Sequence, residues 1–153
     1  MAMKEDIVEI SKDGFQIVSG EMFRHAFRLN APTATLWPNS ISFSKAALQT
    51  LNNCERIRIE INLKKRCILV VPVTEKDKDN IRWIKTGKDI SIRKIECLAF
   101  TSQLYEAWGW KSHLAYRVSG RLVSVDKKVM LLFDFSNPES WRFKDKAKDE
   151  KNE

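Results

Sequence analysis

Glycine and proline are scarce in this 153-residue chain, five and four respectively, so collagen-like and low-complexity architectures are excluded and an ordinary globular composition remains. The five glycines (Gly14, Gly20, Gly87, Gly109 and Gly120) are scattered. They build no phosphate-cradling loop, and nucleotide hydrolysis is not indicated. Histidine is almost missing, with only His25 and His113, and neither stands at ligand spacing from a cysteine, so no metal site and no cofactor are expected. Three cysteines, Cys54, Cys67 and Cys97, are an odd number with no CxxC spacing, which reads as buried free thiols in a reducing compartment. No apolar run approaches the ~18 residues needed to cross a bilayer, and no apolar leader follows Met1. A cytoplasmic protein with no membrane partner is expected.

What is abundant is positive charge. Lys and Arg number 27 against 20 Asp and Glu, a formal net charge of +7. The ends do not supply the surplus, since residues 1–14 hold two Lys and four acids and residues 143–153 hold four of each. The remaining 21 basic and 12 acidic residues give residues 15–142 a charge of +9. A basic folded body favours anionic partners, nucleic acid foremost.

Local patterns place the elements. Residues 15–30 suit a strand pair around Ser19-Gly20 or a short helix. Ser44 is an N-cap candidate for a helix over 45–51 that ends at Asn52-Asn53. Arg56 to Ile61 alternates polar and apolar with period two, turns at residues 62–65, and continues into the apolar strand 67–71, closed by Pro72. Residues 74–80 are a solvated charge run, and Thr86-Gly87-Lys88-Asp89 is a turn. Thr101 is a second N-cap candidate, for a helix ending at Gly109. Residues 113–125 are extended with a bulge at Ser119-Gly120, and a turn at 126–128 leads into an apolar strand over 129–135. The charged end should be disordered.

An offset of 57 residues lays Phe43-Ser44 over Phe100-Thr101 and aligns two successions of strand, capped helix, strand, Lys-rich turn and strand. Phe43, Ala47 and Leu51 fall on Phe100, Leu104 and Trp108, a stripe for one shared core, and Asn52 falls on Gly109. The repeated unit, over residues 35–73 and 90–135, resembles the swapped-hairpin domains of the AbrB, MazE and SpoVT class of bacterial regulators and antitoxins. Phe100-Thr101, Leu104 and Trp108-Gly109-Trp110 follow that class's spacing, with Phe43-Ser44, Ala47 and Leu51-Asn52 in the first copy. The resemblance implies an α+β fold, mostly antiparallel β with short helices, in two tandem βαββ copies, as a monomeric pseudo-dimer or a homodimer. It also implies DNA binding and transcription regulation. Ser44 and Thr101 replace the class's helix-start proline. The positions that touch DNA in the class are Ser40, Leu48 and Gln49 in one copy and Cys97, Tyr105 and Glu106 in the other, and none is basic. Contacts to DNA would therefore come from other residues.

The expected organisation is N-terminal strands or an arm over 1–34, a first repeat over 35–73, a linker and turn over 74–89, a second repeat over 90–136 and a disordered charged tail over 137–153. The paired carboxylates Asp77/Asp79 and Asp134/Glu139 sit in charged or strand-end contexts that suit solvation, and the chain is read as non-enzymatic. Candidate nucleic-acid contacts are Arg24, Arg28, Lys45, Lys64, Lys65, Arg66, Lys85, Lys88, Arg93 and Lys94, cations on or beside turns that can reach phosphates. Trp83, between cations, is a candidate for stacking on a base, and Trp108 for core packing. Duplex DNA is the expected partner, with RNA or a docked protein partner as alternatives.

Overall fold

The computed structural model describes residues 7–19, 31–87 and 89–143. The strands are β1 (Thr33–Trp37), β2 (Ser40–Phe43), β3 (Arg56–Asn62), β4 (Cys67–Val73), β5 (Ile81–Arg82), β6 (Ile84–Lys85), β7 (Ser91–Ile92), β8 (Ile95–Glu96), β9 (Leu114–Val125), β10 (Lys128–Asp134) and β11 (Glu139–Arg142). The helices are α1 (Lys45–Thr50) and α2 (Leu98–Trp108). The architecture is α+β and mostly antiparallel β.

Nine strands share one sheet in the order β5-β3-β4-β10-β9-β1-β2-β8, with β11 also on β9. The pair β6-β7 forms a separate two-stranded ribbon. β3 and β4 pair over their full length, from Arg56↔Val73 to Asn62↔Cys67, as their alternation requires. β4 then pairs with β10, Leu131 opposite Val70, and β2 pairs with β8, Ile41 opposite Ile95.

Local chemistry explains both helix boundaries of α1. Ser44 Oγ accepts from the Ala47 amide and also from the Thr33 amide, so one hydroxyl caps α1 and ties it to β1. The helix stops where Asn52 and Asn53 both take φ 56°, a left-handed conformation that Asn tolerates. In α2 Gly109 does the same at φ 65°. The start of α2 differs from expectation. It begins at Leu98, with Cys97 in the cap position and no side-chain cap bond. Thr101 lies inside the first turn, wholly buried, and its hydroxyl donates to the Pro38 carbonyl at 2.7 Å. A tertiary acceptor thus takes the hydroxyl that local sequence assigns to capping.

β9 runs unbroken through Ser119-Gly120, where a bulge was expected. The phase shift marks a change of partner instead: residues up to Ser119 pair with β1, and those from Gly120 pair with β10. Gly120 is required there, because a Cβ would stand 2.5 Å from Phe133 Cε1. The β9–β10 turn is a two-residue loop with Asp126 and Lys127 at φ 50° and 69°, the twist-matched type I′ geometry.

The core gathers Leu36, Ile41, Ile57, Ile68, Val70, Leu104, Leu131, Phe133 and Phe135 beneath the two helices. Ala47, Leu51, Leu104 and Trp108 of the helical stripe are buried, while Phe100 is half-exposed. The run 74–80 is mostly exposed, as a solvated charge run should be, and is held at two points: Arg58 pairs with Asp77, and Arg56 donates to Asn80 Oδ1 at 2.7 Å. One segment differs from the expected organisation. Residues 139–142, assigned to a disordered tail, form β11, because Trp141 packs edge-on against Trp37 at 5.7 Å and Arg117 lies over its ring. Residues 20–30, where a strand pair or helix was expected, fall outside the described residues.

Candidate nucleic-acid interface

The basic groups that the fold brings together surround the β6–β7 ribbon. Trp83 is its anchor: fully buried, it donates from Nε1 to the Cys54 carbonyl at 2.7 Å, and its own carbonyl accepts from the Arg93 amide at 3.0 Å. Those two bonds fix where the ribbon leaves the body. Ile84 pairs with Ile92 on the inner side, so Lys85, opposite Ser91, is exposed.

Arg82, Lys85, Arg93 and Lys94 line one open depression of about 550 Å³, together with Ile84 and Thr86. Each cation is held differently. Arg82 faces Glu55 at 3.6 Å and donates from Nη2 to Thr86 Oγ1 at 3.3 Å. Its Nε is the enclosed atom of that ion pair with Glu55 and makes no closer hydrogen bond among the described residues. Lys94 places Nζ 4.8 Å above the Trp37 ring, which orients the ammonium without neutralising it. Among the described residues Lys85 and Arg93 form no ion pair. Three cations with no ion pair among the described residues, Lys85, Arg93 and Lys94, around one concavity raise the local potential for anions above that of a scattered surface.

Three of the sequence candidates, Lys85, Arg93 and Lys94, are therefore in this cluster. Arg82 joins them and was not among the candidates; its signal was its place beside Trp83 in the short apolar run 81–84. Lys64, Lys65 and Arg66 are elsewhere. β3 carries the depression's side at Arg56, opposite Arg82, and ends in their turn after Asn62. Six residue rises separate the two sites by roughly 20 Å. Arg66 takes φ 55° and accepts from the Phe135 amide at its carbonyl, and the Lys65 amide bonds Asn62 Oδ1. Lys45 opens α1, which packs against β7. Arg24, Arg28 and Lys88 fall outside the described residues.

Trp83 corrects its own expectation, since a wholly buried indole with its N–H bonded inside cannot stack on a base. It packs edge-on against Phe43 at 5.4 Å. The paired carboxylates have structural partners. Asp77 sits below the usual carboxylate range because the Asp79 amide donates to it and Arg58 pairs with it. Asp134 is lowered by the Ser136 hydroxyl and amide, and Glu139 pairs with Arg117. Among the described residues no group of three His, Cys, Asp or Glu side chains is gathered, and no helix is long and apolar enough to cross a membrane. Comparison with protein-family models, with curated proteins and with solved structures finds no match for this chain.

Proposed function

We propose that this chain is a non-enzymatic nucleic-acid-binding protein of the transcription-regulator kind, which captures the phosphates of duplex DNA at the β6–β7 ribbon. The observation that carries the reading is the convergence of Arg82, Lys85, Arg93 and Lys94 on one depression. Phosphate contacts supply most of the affinity of such proteins, and a two-stranded ribbon is narrow enough to enter a major groove. In this reading the ribbon is the inserted element, and the cations at its base neutralise backbone phosphates on either side.

The chain is further read as two related units of the AbrB-like kind joined into a pseudo-dimer. The succession β2-α1-β3-β4 is followed by β8-α2-β9-β10, and pairing joins β2 to β8 and β4 to β10. DNA contact then falls on the segment between the units rather than on the helix starts, where Ser40, Leu48, Cys97 and Tyr105 bring no positive charge.

The test is fluorescence anisotropy with a labelled random-sequence duplex, across salt, beside a single-stranded RNA of equal length. Duplex binding that weakens steeply with salt, and that is weaker and less salt-dependent in Lys85→Ala/Arg93→Ala, is the expected result. Binding to neither polymer overturns the reading, and binding to the RNA alone transfers it to single strands.

A further inference from the structure

Residues 7–18 form an exposed arm that is too apolar to be left in water. Ile7, Val8, Ile10, Phe15, Ile17 and Val18 are each more than half exposed, and Ile17 is wholly so. They fall in two short runs around a turn in which the Phe15 amide bonds the Lys12 carbonyl at 3.1 Å and Gly14 takes φ 88°. Val8 and Ile10, then Phe15 and Ile17, stand two residues apart, the spacing that puts side chains on one face of extended chain. A contiguous apolar patch on a segment this short marks an interaction site.

The body carries a matching cleft. The nine-stranded sheet ends at β5 on one side and β8 on the other. Residues from both end strands nevertheless line one hollow of about 240 Å³: Ile81 of β5, Ile95 of β8, Ile41, Ile59, Cys97 and Phe100. The sheet therefore curls until its two edges approach each other, and the seam between them is apolar. Edge strands of this kind offer backbone groups to an added strand, with side-chain pockets for its alternate residues.

We propose that the arm of one copy docks in the seam of a second copy, so that two chains exchange their N-terminal segments. Three observations select this occupant. The arm's apolar residues suit an apolar seam flanked by strand edges. Its charge is opposite, with two acids to one lysine over residues 7–18 against +9 on residues 19–142. The arm of a single chain lies off its own body, exposed along its length.

Sedimentation equilibrium of the full chain over a range of concentrations, combined with amide hydrogen exchange of residues 7–18, tests the proposal. The expected result is a reversible dimer in which exchange over 7–18 slows as protein concentration rises. The variant Ile10→Asp/Ile17→Asp should weaken association about tenfold or more while leaving thermal unfolding of the body unchanged, because neither side chain is buried in the monomer. Phe100→Asp, on the seam, should weaken it similarly. Mixing these two variants should restore association in part, through one intact contact, since the Phe100→Asp chain supplies an intact arm and the Ile10→Asp/Ile17→Asp chain an intact seam. A monomer at all concentrations overturns the proposal. So does protection of residues 7–18 that is independent of concentration, which would mean that the arm folds onto its own body. A dimer that the arm variant leaves unaltered places the contact elsewhere and overturns it too.

Discussion

Replacing Gly120 by alanine should destabilise the protein, although the same change in an ordinary strand is neutral or favourable. Gly→Ala at a compatible backbone stabilises by about 0.4–1 kcal/mol through the unfolded chain. Gly120 has no left-handed φ that would forbid alanine, so the backbone alone predicts a gain. Packing reverses the sign. The added methyl would stand 2.5, 2.8 and 3.0 Å from Phe133 Cε1, Cδ1 and Cζ. Phe133 is fully buried and its ring already lies 5.8 Å from that of Phe43, so it cannot swing aside into solvent. Overpacking of this kind costs about 1–3 kcal/mol, and subtracting the backbone gain leaves a net loss of about 1–2 kcal/mol. For a chain of this length that lowers Tm by roughly 3–6 °C. Thermal unfolding followed by circular dichroism measures it, beside two controls. Gly87→Ala, where a Cβ meets nothing within 4 Å, should leave Tm unchanged or slightly raised. Phe133→Leu, destabilising alone, should cancel most of the Gly120→Ala loss in the double variant, giving a coupling energy of the kind that contacting residues show. A Gly120→Ala protein as stable as the original, or additive losses in the double variant, would refute the close approach of β9 and Phe133.

Further outcomes follow from the other sites. If the four cations of the ribbon each neutralise one phosphate, the logarithm of affinity should fall with that of salt with a slope of about −3.6, and Lys85→Ala/Arg93→Ala should roughly halve it. Lys64→Ala/Lys65→Ala, at the far end of β3, should leave the slope unchanged; an equal effect of both pairs would refute the division into two sites. Ser44→Ala removes the cap of α1 and the tie to the Thr33 amide, and should cost about 1 kcal/mol in urea unfolding. Burial pushes the Cys97 thiol from its ordinary 9.0 up to about 11. Because the folded state then favours the protonated thiol, its stabilising contribution is complete below pH 9 and lost as pH rises toward 11. Alkylation of Cys97 by iodoacetamide at pH 8, read by peptide mass mapping, should be about a hundredfold slower in the folded chain than in urea. Equal rates would place Cys97 in solvent.

Much of the architecture was written in short-range chemistry. The alternation from Arg56 to Ile61 set a strand, because side chains on extended backbone alternate whatever lies beyond, but of its apolar face Ile57 is buried, Ile59 partly so, and Ile61 is exposed. Ser44 at one end of α1 and Asn52 at the other were legible because a cap and a left-handed residue act within one turn of helix. The same locality explains the errors. Thr101 reads as a cap until the Pro38 carbonyl, 63 residues away, claims its hydroxyl. The break at Ser119-Gly120 reads as a bulge until β1 and β10 share one long strand between them. Trp141 and its neighbours read as tail until Trp37 receives them.

For the candidate interface the sequence by itself determined the sign of the charge and its confinement to the middle of the chain. Only the tertiary structure decided which cations lie together. Arg82 and Arg93 are eleven positions apart, yet the bond from the Arg93 amide to the Trp83 carbonyl brings them to one depression. Lys65 and Arg82 are closer to one another in composition and context than in space, because β3 holds them at opposite ends. Charge is a property of residues and can be counted along the chain, whereas a site depends on strand partners, and these are chosen by contacts between residues far apart in sequence.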